Sequence, residues 1–109
     1  MIKKIVYFII SPFCQNVYNR FGIDILRNNG FEVLVYDFSP LIQPKLYNWG
    51  VPDPIQYDGH YCFHDKTDAF RAISKLSQEC FIVFPIHYGR NTFWLYKAIS
   101  KKALPYGVS

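Results

Sequence analysis

Apolar residues recur along the chain with two different periods, and the switches between them lay out the elements. Behind Lys3-Lys4 stands a continuous apolar run, Ile5-Val6-Tyr7-Phe8-Ile9-Ile10. It is too short for a helix and rich in β-branched and aromatic side chains, which predicts a strand buried on both faces. Ser11-Pro12 stops it. From about Asn16 to Asn28 the spacing becomes helical, with Val17, Phe21 and Ile25 in one row and Tyr18 and Leu26 widening the stripe. One helix is expected there, with Arg20 and Asp24 paired on its outer side and Gly22 marking a close approach to the sheet. Asn29-Gly30 is a strong stop in which Gly30 supplies the left-handed residue past the helix end. Phe31-Glu32-Val33-Leu34-Val35-Tyr36 then reads as a second strand, completing a βαβ unit that nucleates a parallel sheet.

The pattern lapses from Asp37 to about Asp58, where Pro40, Pro44, Gly50, Pro52 and Pro54 punctuate an apolar segment. A connection of this length tends to be a lid or contact surface, with one helical turn expected at Pro44-Lys45-Leu46-Tyr47. Tyr57-Asp58-Gly59-His60 suggests a tight hairpin between short strands at Ile55–Tyr57 and His60–Phe63. Asp65, with Asp68 three residues on, predicts an N-cap for a helix whose apolar face carries Ala69, Phe70, Ile73 and Leu76 and which ends near Gln78. Phe81-Ile82-Val83-Phe84 is a further buried strand, followed by a His87–Asn91 loop and a helix over Thr92–Lys102 with a basic end. Pro105–Ser109 starts one more strand. This order predicts an α/β fold, a three-layer Rossmann-like open sheet of four or five mainly parallel strands, formed by residues 1–109 as a single domain.

Composition narrows the function classes. Half of the 109 residues are hydrophobic and 18% are charged, which excludes disorder. Ten Phe and nine Tyr imply wide buried faces. The net charge of +4 is too small for a nucleic-acid footprint but suits an anionic ligand or an acidic membrane surface. Cys14, Cys62 and Cys80 form no paired framework, and no run approaches the ~20 apolar residues of a membrane span. The expectation is a soluble cytoplasmic protein, with a place open to it at the inner face of the membrane.

Ligands of such sheets bind outside the carboxyl ends of the strands. That rule selects Ser11, Asp37, His87, Arg90 and Asn91 as ligand-binding candidates. The turn at His87–Asn91 would offer free amides to an anion, with Arg90 as a charged fork, against a plainer role for Arg90 in solvent and Asn91 as a cap. The loop after the first strand has no glycine, so no dinucleotide site and no cofactor is expected. Asp37 stands where a ribose-binding acid would, but without those glycines a loop-capping role fits better. Cys14 and Arg20 have the C-x5-R spacing of cysteine phosphatases. However, Val17 and Tyr18 would obstruct the amide cradle, and Phe21 replaces the expected hydroxyl residue. His60, Cys62 and His64 alternate and could share one strand face. H-x-C-x-H is no established zinc spacing, and a rigid strand is expected to spread alternate side chains too far for tetrahedral closure, so no metal site is expected.

The string Arg20-Phe21-Gly22-Ile23-Asp24-Ile25-Leu26-Arg27-Asn28-Asn29-Gly30-Phe31-Glu32-Val33-Leu34-Val35-Tyr36-Asp37-Phe38-Ser39-Pro40, preceded by Ser11-Pro12-Phe13 and followed by Ile99 to Val108, resembles the N-terminal part of bacterial surface-polysaccharide biosynthesis proteins. These are similar to two-domain (GT-B type) glycosyltransferases. The resemblance implies the acceptor-side half of such a fold, inactive alone, with a second domain or partner subunit gripping a nucleotide-sugar. A sugar or lipid-linked acceptor, peripheral contact with a membrane and no nucleic acid would be its partners. His87 or Asp37 would stand where a base toward an acceptor hydroxyl is needed. Two other readings are a non-catalytic interaction or dimerisation module and a small phosphate-handling enzyme using Cys14 and Arg20.

Overall fold

Strand β1 (Lys4–Ile9) is a strand because its apolar run cannot expose either face, and the sheet gives it a neighbour on both edges. The computed structural model of the chain describes residues 3–10, 13–43, 45, 48, 55–76, 80–84, 97 and 106–108. In chain order the elements are β1, α1 (Gln15–Arg20), α2 (Ile23–Asn28), β2 (Glu32–Asp37), α3 (Ser39–Ile42), β3 (His60–Cys62), α4 (Lys66–Ser74), β4 (Cys80–Phe84) and β5 (Tyr106–Val108). The five strands lie in the order β3-β2-β1-β4-β5, and every pairing is parallel. This is the α/β open sheet that the sequence predicts, of Rossmann type.

Each face of the sheet has its own core. Val6, Phe8, Tyr36, Phe38 and Ile82 pack with Ala69 and Ile73 of α4 and with Leu76 just past its end on one side. On the other, Tyr7, Ile9, Val33 and Val35 meet Val17, Tyr18 and Ile23 from α1 and α2. Aromatic contacts thread both layers, among them Phe8–Phe38 at 5.0 Å and Tyr18–Tyr57 at 5.5 Å between ring centroids. Among the described residues, Tyr7, Phe8, Phe13, Tyr18, Tyr36, Phe38 and Phe63 are buried, whereas Tyr61 and Phe70 are exposed.

Several boundaries differ from the sequence reading. The single helix expected over Asn16–Asn28 is two helices, broken at Phe21-Gly22, where Gly22 adopts the left-handed conformation (φ 65°). The break rotates the apolar row: Ile23 is fully buried and Ile25 is 67% exposed. Gly22 has no neighbour within 4 Å of a would-be Cβ, so it serves the turn and not a close approach to the sheet. Asp24 takes the Tyr18 hydroxyl as donor instead of pairing with Arg20, whose guanidinium lies over the Phe21 ring. Gly30 (φ 90°) ends α2 as expected: its N–H donates to Arg27 O while Phe31 N–H donates to Leu26 O, the paired bonds of a Schellman cap.

The expected hairpin around Asp58-Gly59 is also absent. A turn does form there, closed by His60 N–H on Tyr57 O, but Ile55–Tyr57 is not a strand and His60–Cys62 joins β2 in parallel. Gly59 is needed for a different reason from Gly22. A Cβ at Gly59 would lie 2.6 Å from the backbone oxygen of Val33, so the chain passes against β2 too closely for any side chain. The Asp65 cap forms as expected, its carboxylate accepting the Asp68 N–H at 2.8 Å. The segment after Asp37 is not wholly irregular, since α3 opens it with Pro40 in its first turn. The helical turn expected at Pro44–Tyr47 and the helix over Thr92–Lys102 lie, but for Lys45 and Lys97, outside the described residues. No helix among the described residues is long and apolar enough to cross a membrane.

Candidate functional site at the carboxyl end of β2 and β3

The parallel register sets Asp37, the last residue of β2, directly beside Cys62, the last residue of β3, with His60 beside Val35. Side chains two apart share a strand face, so Asp37, His60 and Cys62 converge on one side of the sheet edge. The His60 ring donates from Nε2 to Asp37 Oδ2 at 2.9 Å; an ionised carboxylate has no proton to give, so the imidazole supplies it. The Cys62 thiol donates to the same Oδ2 at 3.5 Å, and its Sγ lies 3.6 Å from His60 Nε2. The other carboxylate oxygen, Oδ1, accepts the Ser39 N–H at 2.9 Å.

Burial grades the cluster. Asp37 is 1% exposed, while the His60 side chain keeps 22% of its surface in solvent. Phe13, in the segment between β1 and α1, packs against the His60 ring at 4.8 Å between centroids. Burial first, then the charge of Asp37 and the hydrogen bond to it, push the Cys62 thiol up to about 12. At neutral pH the thiol is therefore protonated and a poor nucleophile. A Cys-His-Asp relay is also ruled out by geometry, because one nitrogen of His60 faces both partners, whereas a relay needs one partner on each nitrogen. Close by in sequence, the Ser39 hydroxyl is fully buried and has no hydrogen-bond partner among the described residues.

Of the residues selected from the sequence, Asp37 is the one this site contains. Its carboxylate takes the loop-capping role through Ser39 N–H on Oδ1, while Oδ2 meets His60 and Cys62. Ser11, His87, Arg90 and Asn91 lie outside the described residues. The C-x5-R spacing builds no phosphate cradle: Gln15–Arg20 is helical, and Arg20 points to Phe21. His64 stands beyond the end of β3 and is not among the donors that cluster at Asp37. The objection that alternate strand residues stand too far apart is overturned by the 3.6 Å separation of Sγ and Nε2; both side chains lean to the Asp37 carboxylate on the neighbouring strand. Asp37 and the H-x-C pair were each visible in the sequence, but only the parallel pairing of β2 and β3 joins them.

Topology and site together define a Rossmann-like α/β fold with a partly buried Asp-His-Cys cluster at its carboxyl edge. Compared with family models, curated proteins and solved structures, the chain gives no match in any of the three.

Proposed function

We propose that the chain is the acceptor-side, Rossmann-like half of a two-domain, glycosyltransferase-like protein of surface-polysaccharide assembly, silent without its other half. The observation that carries this reading is the strand order β3-β2-β1-β4-β5 in an all-parallel sheet. The order reverses beside β1, and such a reversal opens a crevice at the carboxyl ends of β1 and β4. A two-domain transferase uses that edge to face its second half. The loop leaving β1, residues 10–14, has no glycine with which to hold a pyrophosphate. Nucleotide gripping therefore falls to the other half, which leaves the acceptor to this one. The cytoplasmic face of a membrane, where lipid-linked acceptors are presented, is compatible with the net charge of +4.

The test is to express the chain with and without the α/β half encoded beside it and to assay transfer from a panel of nucleotide-sugars. Transfer by the pair and none by this chain alone is expected. Transfer by the isolated chain, or a genomic neighbourhood lacking any second α/β half, would overturn the reading.

A further inference from the structure

The geometry points to a zinc-binding site formed by Asp37, His60 and Cys62, with a fourth coordination position open to water or a ligand. The proposal goes beyond the transferase reading and stands independently of it.

One oxygen, one nitrogen and one sulfur donor lie within 4.8 Å of one another, drawn from two adjacent strands. Zinc bonds of about 2.0 Å to N and O and about 2.3 Å to S, at tetrahedral angles, require S···N and S···O edges of about 3.5 Å and an N···O edge of about 3.3 Å. The observed edges are 3.6 Å for S···N, 3.5 Å for S···O and 2.9 Å for N···O. Two of the three already match. The third is the hydrogen bond between His60 and Asp37, which must open by about 0.4 Å to reach the tetrahedral edge when an ion replaces the proton between them.

The donor set selects the ion. A thiolate beside an imidazole suits zinc and disfavours magnesium and calcium, which take oxygen ligands. Charge closes as well: a carboxylate and a thiolate neutralise one divalent cation, so no net charge is left in a largely buried place. Coordination replaces the Cys62 S–H proton, which leaves to solvent, and moves the His60 proton from Nε2 to Nδ1. Nδ1 has no partner among the described residues and is free to carry it. The outer contacts are those of a metal ligand: Ser39 N–H fixes the far carboxylate oxygen, and Phe13 holds the imidazole plane. Three protein donors with one face toward solvent, through partly exposed His60, is the pattern of an ion that keeps an exchangeable position. A bare hydrogen-bonded cluster would account for the same contacts, and cobalt separates the two.

The full chain, stripped with EDTA, is titrated with Zn²⁺ against a chromogenic chelator and separately with Co²⁺. One equivalent per chain is expected, with a thiolate-to-cobalt charge-transfer band and intense tetrahedral d–d bands. Cys62→Ser removes the charge-transfer band, and His60→Ala weakens zinc at least about 100-fold. Cys14→Ser and His64→Ala leave both readouts unchanged. Absence of stoichiometric binding, a band that survives Cys62→Ser, or one lost in Cys14→Ser overturns the site. If Cys62→Ser does not fold, peptide mapping of the natural sequence still decides. Zinc is expected to shield Cys62 from alkylation, and labelling that ignores zinc refutes the proposal.

Discussion

Tyr36 shows how a single buried group can set the alkaline limit of this fold. Burial first, with smaller contributions from Cys80, Tyr61 and Glu32, raises its phenol from 10.0 to about 12. Between those values the unfolded chain loses the proton and the folded one keeps it. The stabilising contribution is therefore complete below pH 10 and drains away as pH rises through about 12. Urea unfolding across that range should show Tyr36→Phe with a flatter decline than the natural sequence. Two glycines offer a second contrast at the same scale. Gly59→Ala forces a Cβ against Val33 O and is expected to lose about 1–3 kcal/mol by steric displacement of β3. Gly22→Ala meets open space and loses about 1–2 kcal/mol from its left-handed backbone alone. Asparagine, which tolerates that backbone, should recover part of the loss at Gly22 and none at Gly59. Equal behaviour of Asn at the two sites in denaturant titrations would refute the distinction.

At the level of elements, local signals succeeded where the element's own side chains decide the outcome. The apolar runs of β1, β2 and β4, the Gly30 stop and the Asp65 cap are all legible because each depends on residues a few positions apart. Removing that cap with Asp65→Ala is expected to cost about 1 kcal/mol in thermal unfolding, as is usual for an N-cap carboxylate. The readings that failed needed information from elsewhere in the chain. Apolar spacing continues straight through Gly22, so nothing in the period betrays the break. Asp58-Gly59 resembles a hairpin turn until β2 recruits His60–Cys62 from the other side. The candidate site fell into the same gap. In the sequence Asp37 is a strand-end acid and His60, Cys62 and His64 are an alternating set, yet only non-local pairing sets Asp37 beside Cys62 and His60, and β3 ends before His64.

For the whole molecule, the order of strands predicts an order of opening. β1 is paired along both edges and carries Val6 and Phe8 at full burial, whereas β3 and β5 are three-residue edge strands. Amide hydrogen exchange should be slowest in β1 and fastest at the two edges, with β2 and β4 between. Protection of β3 equal to that of β1 would contradict this layering. The same arrangement bears on how the protein is born. β1 can find β2 as soon as both have left the ribosome, but its other partner, β4, follows β2 by roughly fifty residues. At about 5–20 residues per second, the nascent chain therefore spends several seconds with one edge of its central strand unmatched. A translation product stopped after Leu76 is expected to collect in the insoluble fraction unless a chaperone occupies that edge, and a soluble, monomeric product of that length would show otherwise.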